Sequence, residues 1–120
     1  MSYIAWDTET TGLPMTWNRA TPDNIDNFNL CRMVSLALVK YTSSGREVSS
    51  YHGIAYPKDF EVKATEIHGI THEHAKAEGL PFKELYDKFI ELTRGVDILV
   101  AHNSKFDENV LFSECYRHGL

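Results

Sequence analysis

Cysteine and long apolar runs are both scarce in this chain, and each scarcity excludes a class of protein. Its 120 residues include only two cysteines, Cys31 and Cys115, without the spacing of a metal site. We therefore expect free thiols in the reducing cytoplasm rather than a disulfide scaffold. No apolar run approaches the roughly 20 residues that cross a bilayer, so no membrane partner is expected. Asp7 and Glu9 interrupt the early apolar stretch, which removes the pattern of a signal peptide.

Positive charge is also in short supply. The chain has 12 Lys and Arg residues against 17 Asp and Glu residues, which gives a net charge of −5. Such a protein does not coat nucleic acid nonspecifically, because that kind of binding depends on many clustered cations. An enzyme that grips nucleic acid locally stays compatible with this charge, since bound metal ions would offset an acidic cluster.

The hydrophobic pattern predicts one α/β domain with the element order β-β-β-α-β-α. A long loop is expected over 12–31, and a turn at Ser44-Gly45 predicts an antiparallel hairpin. A helical crossover then predicts that the last strand, expected to be buried, runs parallel to a neighbour in the sheet. Strands are predicted over 2–7, 32–41, 46–56 and 97–101. Helices are predicted over 61–68, from Thr71 to Lys76, over 81–94, and over 105–118 with Ser104 as its N-cap.

The stretch WDTETTG, residues 6–12, closes the first predicted strand with two acids. Side chains on a strand repeat their direction every second residue, so Asp7 and Glu9 point to the same place. Asp107 follows the last predicted strand, in the segment VAHNSKFD at 100–107. If the first and last strands are parallel neighbours, Asp107 joins Asp7 and Glu9 at one edge of the sheet.

Three carboxylates aimed at one place repel each other unless a cation lies between them. Hard oxygen ligands suit Mg²⁺ or Mn²⁺, which keep coordination positions for water and substrate phosphates. Two such ions can stabilise both the attacking and the leaving oxygen of a phosphoryl transfer. The acids therefore predict a two-metal site rather than a pair of acid–base catalysts.

Three motifs in order, DTETTG at 7–12, IHGIT at 67–71 and VAHNSKFD at 100–107, resemble the signatures of the DEDDh family of 3′→5′ exonucleases. That family includes the proofreading epsilon subunit of the bacterial replicative DNA polymerase and TREX-type exonucleases. The resemblance implies a ribonuclease H-like mixed sheet, three antiparallel strands followed by a parallel one, with flanking helices. It also implies hydrolysis of DNA, or of RNA, to nucleoside monophosphates, in replication or repair.

The resemblance implies roles for single residues. Asp7, Glu9 and Asp107 would be the catalytic and metal-binding residues, with Asp7 bridging two Mg²⁺ or Mn²⁺ ions. Thr8, Thr10 and Thr11 would contact the 3′-terminal nucleotide of single-stranded DNA or of a frayed end. The rest of the nucleotide pocket would be formed by residues of the other two motifs: His68, Gly69, Ile70, Asn103 and Phe106.

The family also requires a His-x-x-x-x-Asp motif some tens of residues after VAHNxxFD, which residues 108–120 do not contain. The resemblance therefore leads us to expect that residues 1–120 are the N-terminal part of one exonuclease domain, without its last strand and helix. Asp97 lies at the other end of its strand, and Glu114 lies about 10 Å further along the last helix than Asp107. Neither acid replaces the missing aspartate.

Two alternatives stay open from the sequence. One is a catalytically incomplete nucleic-acid-binding module, or a module associated with a DNA polymerase. The other is a zinc protein that uses His72 and His74, although these are spaced i, i+2 rather than i, i+4 on a helix. Trp17 and Phe28 in the long loop are equally able to contact a nucleotide or to cover the core.

Overall fold

The computed structural model describes all 120 residues as a mixed sheet with flanking helices. The strand order in the sheet is β3-β2-β1-β4. No helix has both the length and the apolar composition that crossing a membrane requires. The strands are β1 (Ser2–Thr10), β2 (Met33–Thr42), β3 (Glu47–Ile54) and β4 (Ile98–Val100). The helices are α1 (Thr65–His68), α2 (His72–Glu78), α3 (Phe82–Thr93) and α4 (Ser104–Arg117), and a 3₁₀ helix spans Ile25–Phe28.

The pairing of the strands confirms the predicted topology. β2 pairs antiparallel with both β1 and β3, and the β2–β3 turn passes through Gly45 with a positive φ of 86°. β4 pairs parallel with β1, so that Tyr3, Ile4 and Ala5 face Ile98, Leu99 and Val100. The carboxyl ends of β1 and β4 therefore lie at the same edge of the sheet, which meets the condition under which Asp107 is expected to join Asp7 and Glu9.

Strand β1 is longer than predicted, because its pairing with β2 continues past the acids. Thr8 faces Leu36, Glu9 faces Ser35, and an irregularity in register separates Glu9 from Thr10, which faces Met33. Both acids therefore lie inside β1, whereas the predicted strand ended at Asp7. Hydrogen bonding to β2 holds the backbone of both acids, which fixes the directions of their side chains.

The core lies on one face of the sheet, under α3 and α4. Ile4 and Trp6 of β1 are buried together with Leu85 of α3 and Val110 of α4. The stripe Phe82, Leu85, Phe89 and Leu92 predicted for α3 belongs to this core or packs against it. A second, smaller cluster joins Val34 to Val62, Ile70 and Ala75, and it anchors the α1–α2 region to β2.

The prediction that β4 is a buried strand is wrong. Its three residues keep 44%, 44% and 47% of their surface exposed at Ile98, Leu99 and Val100. The strand lies at the edge of the sheet and pairs only with β1, so an apolar sequence alone did not decide its burial. β-Branched and aliphatic residues suit a strand at an edge as well as in the interior.

The N-cap of α4 also differs from the prediction. Asn103, not Ser104, caps the helix, since its side-chain oxygen accepts a hydrogen bond from the backbone N–H of Phe106 at 3.4 Å. Asp107 does not take part in a capping box with Ser104. Its carboxylate is free to reach across to β1. At α2 the predicted cap is confirmed, because the Thr71 hydroxyl accepts from the His74 N–H.

A buried ion pair ties α4 to β2. The Arg32 guanidinium donates two hydrogen bonds to the Glu114 carboxylate, at 2.9 and 3.1 Å, and the Met33 N–H donates a third at 2.9 Å. Both side chains are almost fully buried. Burial opposes the charge on Arg32, but the hydrogen bonds and charges of Glu114 and Asp59 outweigh burial and raise the pKa of Arg32. Glu114 is thus fully engaged in holding the helix.

We expect Glu114→Ala to destabilise the fold by about 3–5 kcal/mol, because it leaves the buried Arg32 guanidinium with only the exposed Asp59 carboxylate as a partner. Asp87→Ala, which breaks the exposed Lys83–Asp87 pair on α3, is the matched control and should change stability little. Urea denaturation of the two variants and the wild type measures this difference. Equal stability of Glu114→Ala and the control would show that the buried pair does not hold α4 in place.

Candidate active site

Asp7 and Glu9 lie side by side on the face of β1 that points away from the core. Their neighbours Trp6 and Thr8 are buried on the other face, so the side chains along the strand alternate strictly. Asp7 is exposed and Glu9 is partly buried. The two-residue spacing therefore does bring both carboxylates to one place, as the sequence predicted.

The pKa of Glu9 reflects the closeness of the other carboxylates in the site. Burial raises the pKa of the Glu9 carboxyl, and the nearby Asp7 carboxylate raises it further, with a contribution from Asp107. His68 is close enough to oppose this pKa shift. A carboxyl group whose charged form is disfavoured in this way is poised either to keep a proton or to bind a cation.

Asp107 reaches β1 from the first turn of α4. Its Oδ1 accepts hydrogen bonds from the Thr8 backbone N–H at 3.1 Å and from the Thr8 hydroxyl at 2.6 Å. Burial raises the pKa of Asp107, and Asp7 adds to the rise, although the bonds from Thr8 oppose it. Oδ1 carries both of these bonds, which leaves Oδ2 as the oxygen available to another ligand.

The donor set decides which metal could bind here. No group of three or more His, Cys, Asp or Glu side chains is arranged to hold a metal ion. Asp7 and Glu9 nevertheless form a close, oxygen-only pair with no ion pair to a Lys, Arg or His side chain, and such a pair fits Mg²⁺ or Mn²⁺. Asp107 interacts electrostatically with this pair, and its hydrogen bonds to Thr8 hold it beside them. The site is thus built around two carboxylates, with a third behind them.

The histidines that a zinc site would use are not grouped with other metal ligands. The Nδ1 of His72 accepts a hydrogen bond from the Val62 N–H, and His74 pairs with Glu78 one turn along α2. Both histidines therefore have partners within their own segment. The buried thiols do not add ligands, since burial raises the pKa of both Cys31 and Cys115 to about 11.

The IHGIT segment forms a rigid turn beside Glu9. The Nδ1 of His68 accepts from the Ile70 N–H at 3.0 Å, so its Nε2 donates to the Lys63 carbonyl at 2.7 Å. Gly69 ends α1 with a φ of 78°, a conformation that favours glycine. The Ile70 side chain packs in the smaller core cluster. The roles of these three residues in a nucleotide pocket stay predictions.

The threonines of DTETTG stabilise the strand and the loop that follows it. The hydroxyl of Thr8 is committed to Asp107, and that of Thr10 donates to the Gly12 carbonyl. The hydroxyl of Thr11 donates to the Leu30 carbonyl and accepts from the Arg32 N–H. Their contacts with a nucleotide stay predictions, as do those of Asn103, which caps α4, and Phe106, which packs against the core.

A cleft of about 550 Å³ opens where β1 leaves the sheet. The cleft is lined by residues just after β1, by the end of the long loop and by the segment 59–63: Thr11, Gly12, Leu13, Asn29, Leu30, Asp59, Phe60, Glu61 and Lys63. Phe60 of that segment stacks on the Arg32 guanidinium, with 4.6 Å between the charge and the ring centroid. Sequence reasoning did not identify segment 59–63 as part of the site, because no motif marks it.

The two aromatic residues of the long loop, whose roles the sequence left open, differ in their exposure. Phe28 is fully buried in the 3₁₀ helix, whereas Trp17 keeps 58% of its surface exposed. Phe28 is therefore a buried residue, which leaves its ring unavailable to a nucleotide. Trp17 lies in the loop that follows β1, and its exposed ring is available to a ligand.

A mixed sheet with an acidic pair on an interior strand agrees with the nuclease class that the motifs predict. Residues 4–120 match the family model described as RNase_T exonuclease, and the chain therefore belongs to that exonuclease family. This result confirms the resemblance to 3′→5′ exonucleases that the motifs carried.

Similar proteins extend this result. The chain is 27% identical over 120 residues to a PolC-type DNA polymerase III of Streptococcus pneumoniae, covering 99% of this chain and 7% of that protein. It is 29% identical over 123 residues to the PolC-type enzyme of Lactococcus lactis, covering 99% and 6%. The chain thus spans less than a tenth of the length of these curated relatives.

Solved structures confirm the fold. Escherichia coli exonuclease I, in complex with a 5cy-dA13 oligonucleotide, matches with a TM-score of 0.74 at 21% identity. The match covers 97% of this chain and 24% of that one. The predicted ribonuclease H-like mixed sheet with flanking helices is therefore confirmed.

We expect Asp7→Asn to stabilise the metal-free protein near neutral pH, because it removes one of two carboxylates that repel each other. Burial and Asp7 raise the pKa of Glu9, so this unfavourable energy is absent at low pH and appears as pH rises through the Glu9 pKa. The stability gain of the variant should therefore shrink as pH falls towards 4.5, the ordinary value for Glu. Urea titrations in EDTA across this range measure it.

The control is Asp23→Asn, which removes an exposed carboxylate in the long loop. This variant should show no comparable gain at any pH. A loss of stability in metal-free Asp7→Asn at neutral pH would contradict the account of a repulsive pair.

Proposed function

We propose that this chain carries a metal-dependent 3′→5′ exonuclease activity that releases nucleoside monophosphates from DNA. The observation that supports it most is the Asp7–Glu9 pair on an interior strand of an exonuclease-family fold. Three of the exonuclease I matches are complexes with DNA oligonucleotides, and the sequence relatives are PolC-type DNA polymerases III. Both favour a single-stranded DNA end as substrate and a DNA polymerase as partner.

In this proposal Asp7 and Glu9 hold the divalent cation, and Asp107 supports the site from behind through its free oxygen. A bound Mg²⁺ or Mn²⁺ would neutralise the phosphate and lower the pKa of an attacking water. The protein's own residues fix the ligands before substrate arrives. β1 fixes the direction of Asp7 and Glu9, and the two bonds from Thr8 fix Asp107.

The cleft beside Thr11 and Gly12 is the place that we propose for the terminal nucleotide. The cleft lies next to the acids along the chain, and Leu13 and Phe60 give it apolar walls against which a base can pack. Gly12 permits a close approach of the backbone, since a Cβ there would come within 2.8 Å of the Leu30 carbonyl oxygen. We propose that the sugar and base of the 3′ nucleotide enter from this side.

Degradation of a 5′-labelled single strand by the full-length natural protein tests the activity. Wild type should shorten the strand from its 3′ end with Mg²⁺ or Mn²⁺ and should stop in EDTA. Asp7→Ala should lower the rate by at least about 100-fold, since loss of a ligand exceeds the usual effect of outer-shell changes. Asp23→Ala is the control and should retain the wild-type rate.

Two results would count against the proposal. Undiminished turnover by Asp7→Ala would exclude the acidic pair as the metal site. Tight binding of the strand by wild type without any shortening would instead favour the alternative, a nucleic-acid-binding or polymerase-associated module.

A further inference from the structure

A second, smaller pocket lies between the long loop and α4. It has a volume of about 280 Å³ and is lined by Arg19, Lys105, Glu108, Asn109 and Phe112. Lys105, Glu108 and Phe112 recur along α4 at the spacing of one helix face. Arg19 faces them from the loop. None of the motifs that carry the exonuclease resemblance explains Arg19 in this place.

The loop is attached to the helix, so the pocket is a built feature. Asn109 is almost fully buried, and its side-chain oxygen accepts from the Ala20 N–H at 2.9 Å. Its amide donates to the Asn18 carbonyl at 3.3 Å. These two bonds hold the backbone on both sides of Arg19. The Arg19 guanidinium lies 5.6 Å from the centroid of the Phe112 ring, which sets its direction.

Both cations of the pocket lack a protein counter-charge. Neither Arg19 nor Lys105 lies within 4.0 Å of a carboxylate, and no side-chain hydrogen bond engages either one. Glu108 is the one acid in the lining, and it forms no ion pair. In a chain of net charge −5, two unpaired cations in one pocket form a local site for an anion.

The distance of the pocket from the acidic cluster indicates which anion it could bind. Lys105 precedes Asp107 by two residues in the first turn of α4, and the two side chains leave the helix on nearly opposite sides. The pocket is therefore about one helix diameter, roughly 10 Å, from the acidic cluster. With one phosphate per roughly 3.4 Å of a stacked strand, about three nucleotides cover this distance. The exposed Trp17 precedes Arg19 and gives a surface on which a base can stack.

We propose that the Arg19–Lys105 pocket binds a backbone phosphate of the substrate strand, a few nucleotides to the 5′ side of the terminal residue. This inference rests on the proposed function and adds a second point of attachment to it. Phosphate contacts of this kind position a strand without reading its sequence. A long strand then binds through two sites, whereas a dinucleotide reaches only the acidic site.

The double variant Arg19→Gln, Lys105→Gln in the full-length natural protein tests the pocket. Binding of an oligothymidylate of about twelve nucleotides is measured by fluorescence anisotropy in EDTA, which stops hydrolysis. We expect a loss of affinity on the order of tenfold and a fall of about 1 in the slope of log Kd against log salt. Lys105→Gln alone, which leaves the Arg19–Phe112 stacking in place, should show part of both effects.

The control is Lys40→Gln, Arg46→Gln, which removes the same charge near the β2–β3 turn, at the opposite edge of the sheet. It should leave both the affinity and the salt slope near wild type. An equal loss in the control would show a general effect of net charge and would overturn the proposal. Equal binding by wild type and the pocket variant would also overturn it.

Two further measurements distinguish this proposal from a failure of the proposed function and from a site for a small free anion. In Mg²⁺, hydrolysis of a dinucleotide should be unchanged in the pocket variant, while kcat/KM for the long strand falls. If wild type hydrolyses both substrates and the variant hydrolyses the long strand with the same kcat/KM as wild type, the proposed function stands and the pocket proposal fails. If wild type neither binds nor degrades DNA, both fail. Binding of inorganic phosphate that depends on Arg19 and Lys105, without any effect on the strand, would identify a small-anion site and overturn the proposal.

Discussion

The two-residue period of β1 is the constraint on which the site depends. Trp6 and Thr8 point into the core side, so Asp7 and Glu9 must point together to the other side. Hydrogen bonds to β2 hold this arrangement against the repulsion between the two acids. The energy of packing Ile4 and Trp6 thus maintains a pair of charges that would separate in a flexible segment. A bound cation would relieve the repulsion that the fold maintains.

A single contact then connects this strand to the second half of the site. Thr8 lies between the two acids in sequence, yet its backbone and hydroxyl both bind Asp107 across the sheet edge. The Arg32–Glu114 pair holds the last turn of α4 against the start of β2, and Asn109 holds the long loop against the same helix. Helix α4 therefore carries Asp107, core residues such as Val110, and one side of the Arg19–Lys105 pocket. The placement of the helix determines the position of all three.

The sequence predicted the features that follow from local periodicity and from motifs. The order of elements, the β2–β3 hairpin and the convergence of Asp7 and Glu9 follow from spacing, and the helical crossover predicted that the last strand is parallel to a neighbour. It did not predict that β4 is exposed, since the burial of an apolar strand depends on what lies beside it. Nor did it assign partners to Glu114, Asn109 or Thr8, because each partner is distant along the chain. The segment 59–63 lacks any motif that would mark it as a wall of the cleft.

The location of the bound metal tests the central claim most directly. A crystal of the protein soaked in Mn²⁺ and measured near the manganese absorption edge would show the ion as an anomalous peak. We predict a peak within coordination distance of the Asp7 and Glu9 carboxylates, about 2.0–2.6 Å for an oxygen ligand of a hard cation. A peak elsewhere, with none at this pair, would contradict the account of β1 as the metal-binding strand.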